Sequence, residues 1–158
     1  MNKYRFLFFG LLILTGCSQG SKKKISTINV TFKQEGTLYI TRNTDTILNK
    51  LAIELANTPY KRETGLMYRS SMEENQGMLF LFDNEAPRSF YMKNTEFPLD
   101  ILYINKHLRV TDIIRNTIPY SEKALPSRSP AQYVLEINGG QSNKLGISVG
   151  DQISFYTP

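Results

Sequence analysis

The chain has a single cysteine, a single histidine and no tryptophan. One cysteine excludes an internal disulfide framework and any cysteine-pair metal site. One histidine, His107, lies in the turn Asn105-Lys106-His107 and leaves a zinc site without a second imidazole. A serine triad would have to use that same turn histidine. Gly139-Gly140 is not followed by the lysine of a phosphate-binding loop. No cofactor and no metal ligand set is therefore expected. The longest apolar run, Phe6 to Leu14 with Gly10 inside it, is too short to span a bilayer, which takes roughly 20 residues.

That short run has a specific setting. Lys3 and Arg5 precede it, and Leu14-Thr15-Gly16-Cys17 closes it. A charged start, a short apolar core and small residues before a cleavage point form the layout of a signal peptide. With cysteine at the cleavage point, it resembles the lipobox of a bacterial lipoprotein. Residues 1–16 are expected to leave, and Cys17 to carry diacylglycerol on sulfur and a fatty acyl chain such as palmitate on its amino group. One chain anchors marginally, whereas two or more hold stably. The expected location is the cell envelope, on its periplasmic or outer-surface side, with the membrane reached through Cys17. Residues 17–28, with the run Lys22-Lys23-Lys24, read as a basic tether.

The chain has 158 residues and a formal net charge of +5. Much of that charge lies in the leader and the tether, so the following domain is close to neutral. A basic stripe for nucleic acid is not expected. Hydrophobic content of 41% and charged content of 21% suit one globular domain, placed at 29–158.

Within it the signals are mostly strands. Gly36–Ile40 is a short β run before the turn Asn43-Thr44-Asp45. Leu51, Ile53 and Leu55 alternate with Lys50, Ala52 and Glu54 at the period of a half-buried strand. Thr58-Pro59 offers a cap and a first-turn proline, and Gly65 a stop, so 59–64 is expected to be a short helix. Met78 to Phe82 reads as a strand covered on both faces, ending at the turn Asp83–Pro87. Arg88 to Lys93 alternates like another strand. Leu99–Ile104 and Leu108–Arg115 form a hairpin. Residues 116–130, with three prolines, form a long loop of the kind that often carries function. Gln132–Ile137 and Gln152–Tyr156 are strands around one helical turn at 141–145. The fold class is mainly β, a β-sandwich or partly closed β-barrel with one or two short helices.

Three segments resemble a known family. They are Thr58-Pro59 through Gly65-Leu66-Met67-Tyr68-Arg69 with Gly77-Met78-Leu79-Phe80; Arg88 to Thr95 with Pro98-Leu99-Asp100; and Tyr133-Val134-Leu135-Glu136 with Gly150-Asp151. Their order and spacing are similar to the domain-of-unknown-function 192 family, also called uncharacterised protein family 0127. The resemblance runs from about residue 36 to the C-terminus. It implies a compact, mostly β domain, often exported, and no settled activity. Tyr91 stands where many members have tryptophan, and Asn105 where aspartate is common.

The polar cluster Lys93, Asn94, Thr95 and Asp100 is the first candidate site. A cation, an amide, a hydroxyl and a carboxylate leave one strand within eight residues. Arg69 and Arg88 are candidate clamps for a carboxylate or phosphate. Glu136 with Asp100 is a candidate acid–base pair, provided the two lie within roughly 5–9.5 Å. Three functions follow. The leading one is binding of a small polar or carbohydrate-like ligand by Arg69, Arg88, Lys93, Asn94 and Asp100. The others are a glycosidase-like envelope hydrolase using Asp100 and Glu136, and a non-catalytic module docking on a protein partner.

Overall fold

The computed structural model describes residues 30–158. The leader, Cys17 and the tether lie outside the described residues. Strands β1 (Gly36–Arg42), β2 (Asp45–Ala56), β3 (Gln76–Ala86), β5 (Leu99–Ile104), β6 (Val110–Ile114), β8 (Ala131–Asn138) and β9 (Gln152–Tyr156) form one mixed sheet in the order β6-β5-β8-β3-β2-β1-β9. Two two-residue strands, β4 (Ser89–Phe90) and β7 (Leu125–Pro126), form a separate ribbon. Only β2 and β3 run parallel within the large sheet. A parallel pair needs a crossover, and helix α1 (Pro59–Thr64) lies in it. Helix α2 (Gln141–Lys144) links β8 to β9.

The sheet curls but does not close into a barrel. Its outermost strands meet at one end, through a bridge between Arg109 and Gln152 and the bond from Ile153 N–H to Leu108 C=O. Inside the curl lies one apolar cluster, including Leu38, Ile53, Leu79, Leu102, Leu135 and Ile137. On the other face Met78, Phe80, Ile101, Tyr103 and Val134 pack under Leu66, Met92, Phe90 and Leu125, which come from the loops and the ribbon. The result is sandwich-like, with loops as half of the second layer. Every residue of β5 is buried, as expected of a strand covered on both faces.

Several expected elements form where local chemistry placed them. The Thr58 hydroxyl accepts from Lys61 N–H at 3.2 Å, Pro59 takes the first turn, and Gly65 ends α1 at a φ of 45°. A side-chain cap of this kind stabilises a helix by about 1 kcal/mol. Two expectations do not hold. The turn at 83–87 is instead strand as far as Ala86, with an irregularity between Leu81 and Ala86 where β3 pairs β8. Residues 88–93 form no long strand. After Phe90 the chain turns away, with Met92 N–H bonded to Ser121 C=O and Thr95 N–H to Met92 C=O. Phe90 and Met92 do point inward, but their partners are the 116–130 loop and not a sheet edge.

Candidate functional site

The register of the sheet decides which polar groups meet. Glu54 of β2 pairs with Met78 of β3, and Met78 pairs with Glu136 of β8. Paired residues point to the same side, so the two glutamates flank Met78 on the loop-covered face. Asp100 of β5 pairs with Ile137, one residue along, and therefore faces the inside of the curl. Asp100 and Glu136 thus lie on opposite faces of one sheet. They do not form a carboxyl pair, and the two-carboxylate site expected from the sequence is not assembled.

Asp100 has a different task. Its side chain is fully buried, and its carboxylate accepts from Asn116 N–H at 2.8 Å, Gly140 N–H at 2.9 Å and Ser142 N–H at 2.8 Å. Asn116 and Gly140 are both in left-handed backbone, with φ of 49° and 82°. Asp100 therefore pins the start of the long loop and the start of α2. It does not face Lys93, which is exposed and forms no ion pair among the described residues.

The other candidates scatter likewise. Asn94 donates from Nδ2 to the Tyr68 hydroxyl at 2.8 Å, and its carbonyl accepts from Tyr68 N–H at 2.7 Å. It is a clasp between two turns. Arg88 lies 3.9 Å over the Phe82 ring and donates to Ala131 C=O at 3.1 Å and to Asn84. Burial, with Arg62 nearby, lowers its pKa. Both residues brace the structure. Arg69 is nine-tenths buried and ion-paired to Glu54 at 2.5 Å, while its Nε finds no partner among the described residues.

A cleft of about 200 Å³ opens on this face. Phe80, Phe82 and Phe90 line it with the buried Thr95 and Leu66, and the exposed Tyr91 stands at its rim with Arg62 and Glu63 of α1. Gly65 keeps the floor open, since a Cβ there would lie 3.1 Å from the Phe80 ring. Glu136 lines this cleft and is 5% exposed. Its carboxyl makes no hydrogen bond among the described residues. Burial pushes it up to about 8, against the opposing pull of Arg69. A buried carboxyl with a raised pKa in a cleft is a recognised signature of a functional site.

Of the sequence candidates, Glu136 and Thr95 line the cleft, and Arg69 lies behind it. Alternation along β8 sets Glu136 with Gln132 on the polar side of the strand, a side that the loop and ribbon residues in fact cover. Alternation along β2 likewise sets Glu54 opposite Leu51, Ile53 and Leu55. A glutamate inside a strand, facing away from the core residues, was its only signal. Phe80, Phe82 and Phe90 read as core, and their spacing says nothing of a gap left between them.

Related proteins share this architecture. A crystal structure of a proposed transcription regulator from Sinorhizobium meliloti 1021 aligns with a TM-score of 0.73 and 41% identity, over 80% of this chain and 96% of that one. A protein of unknown function from Novosphingobium aromaticivorans DSM 12444 aligns with a TM-score of 0.70 and 36% identity, over 75% and 83% of the two chains. No curated protein matches significantly. The model of the family DUF192, described as an uncharacterized ACR, matches residues 39–155, and the chain belongs to that family.

Proposed function

We propose that this protein is an envelope lipoprotein whose DUF192 domain binds a small polar, carbohydrate-like ligand in the cleft above Glu136. The observation that carries the reading is a buried, unpartnered carboxyl at the floor of an aromatic-walled cleft. Aromatic rings offer flat apolar surface to a ring-shaped ligand, and a few polar groups fix its orientation. The pocket differs from the one expected from the sequence. Glu136, Thr95 and the cleft aromatics take the place of Lys93, Asn94 and Asp100.

The lipid anchor rests on the sequence of residues 3–17, and it would hold the domain near the bilayer through the tether. A gene-regulatory role, as described for the Sinorhizobium relative, draws no support from charge. Residues 30–158 carry fourteen basic and fourteen acidic side chains, whereas nucleic-acid binding is driven by excess cation.

The test is a thermal-shift screen of the full chain in detergent against sugars, amino sugars, nucleotides and acidic metabolites. A ligand at 100 times its Kd adds about 2.7 kcal/mol, or roughly 5 °C in Tm for a domain of this size. The expected result is a shift that Phe90→Ala and Glu136→Gln each reduce while the protein stays folded. Shifts unaffected by both variants would place the ligand elsewhere and overturn the reading.

A further inference from the structure

We infer that the ligand of this cleft carries a protonated amine, which lies among the aromatic walls and forms an ion pair with Glu136. The inference rests on the cleft being a binding site, as proposed above.

The argument is one of charge. Beneath the cleft stand two carboxyl groups, Glu54 and Glu136, flanking Met78 on adjoining strands. The cation that acts on both is Arg69, and its guanidinium is held by Glu54 at 2.5 Å. Among the described residues Glu136 has no hydrogen-bond donor and no close counter-ion of its own. An isolated carboxylate in an apolar setting is costly, so Glu136 keeps its proton while the cleft is empty. Its carboxyl faces the cleft, so a cation arriving there would stabilise the ionised form.

The walls suit the same occupant. Aromatic faces attract cations, with Lys, Arg and ligand ammonium groups found over them. Phe82 already shows this, with the Arg88 guanidinium 3.9 Å and that of Arg62 5.5 Å from its centroid. Both guanidinium groups are committed, Arg62 to Leu81 C=O at 3.0 Å and Arg88 to Ala131 C=O and Asn84. The charged and titratable groups around Glu136 are Arg69 and Glu54 behind it, Arg62 and Glu63 of α1 and the Tyr91 phenol at the rim, Arg88 over Phe82, and the Tyr103 phenol on β5. Burial raises the Tyr103 pKa, so the phenol stays neutral. Arg62 and Arg88, the cations at this end of the cleft, both lie over the Phe82 ring and are tied to carbonyl oxygens.

The binding step has a defined proton balance. In the empty cleft Glu136 holds a proton below pH 8. When the ammonium enters, the carboxyl O–H bond breaks, the proton passes to solvent, and the carboxylate pairs with the ligand cation. Binding at pH 7 therefore releases close to one proton per ligand, and at pH 9 only a small fraction of one. For an amine that stays protonated through this range, affinity rises with pH while Glu136 gives up its proton and levels off above about pH 8.

The experiment is titration calorimetry on the full chain in detergent, in buffers of different ionisation heat. The probes are matched pairs whose amines stay protonated over the pH range used, trans-4-aminocyclohexanol with trans-1,4-cyclohexanediol and cyclohexylamine with cyclohexanol. The expected result is an amine member at least about tenfold tighter at pH 7.5, with proton release that vanishes in Glu136→Gln. Tyr91→Leu, at the open rim, should weaken the amine without abolishing proton release. A hydroxyl member that binds as well as its amine, with no proton released, would overturn the inference and leave the binding cleft standing. Failure of every probe, together with a silent thermal-shift screen, would overturn both.

Discussion

Asp100 and Glu136 are two acidic side chains on neighbouring strands of one sheet, each almost fully buried, and they live in opposite conditions. Asp100 points into the curl and accepts three backbone N–H groups. Glu136 points into the loop layer and accepts none among the described residues. The sheet treats the first as architecture and leaves the second available. Burial alone therefore does not mark a functional carboxyl; burial without a partner does. A shift of a single residue in register separates the two roles, because it moves a side chain to the other face of the sheet.

The largest expected effect falls on the satisfied carboxyl. Asp100→Ala would leave three backbone donors without their acceptor, of which Ser142 N–H is buried and those of Asn116 and Gly140 are nearer the surface. A buried donor left unsatisfied costs about 1–3 kcal/mol. With the loop and α2 unpinned, a loss of about 3 kcal/mol is expected, with Tm falling by roughly 10 °C in a thermal melt. An Asp100→Ala protein that melts like the parent would erase the contrast. Arg69→Ala comes next. It leaves Glu54 buried without its cation, and breaking such a pair costs about 3–5 kcal/mol. The same variant removes the positive charge that opposes the rise of the Glu136 pKa, so Glu136 should titrate still higher. Carboxyl-selective NMR of the Arg69→Ala protein reads that shift directly.

Glu136→Gln should go the other way, and its effect depends on pH. The folded-state pKa of Glu136 is raised from 4.5 to about 8. Between those values the unfolded chain loses a proton that the folded chain keeps. Stability from this group is therefore undiminished below pH 4.5, falls as pH rises toward 8, and is constant above it. Glutamine carries no such penalty. Glu136→Gln should resemble the parent at pH 4.5 and be more stable than it at pH 8.5, by a few kcal/mol at most. Denaturant melts at the two pH values test this, and equal stability differences at both would remove the pKa argument.

These contrasts explain what could be read from the sequence. Helix α1 was legible because its signals are local: a capping Thr58, Pro59 in the first turn and Gly65 at the end. The hairpin of β5 and β6 and the last strand were legible from alternation and turn residues. The site was not, because it depends on register between strands distant in sequence. Glu54 and Glu136 are 82 residues apart and become neighbours across Met78 only through the β2–β3 and β3–β8 pairings. Lys93, Asn94 and Asp100 looked like a cluster because they are close along the chain. The turn at Asn94, with a φ of 55°, sends them to different surroundings.

Lys93→Ala should do least, and it tests the sequence-based grouping most cleanly. The side chain is exposed and has no ion-pair partner among the described residues. Substitutions of that kind usually fall within about 0.5 kcal/mol of the parent. The residue lies two positions from Tyr91 and from Thr95, both of which line the cleft, so its charge acts on a ligand there only through solvent. A cationic ligand would meet slightly less repulsion once Lys93 is gone, and salt would screen even that. Calorimetry should thus show unchanged or marginally tighter amine binding in Lys93→Ala. A large loss of binding with stability intact would return Lys93 to the site. It would also mean that the ligand is held by the exposed turn and not by the carboxyl beneath it.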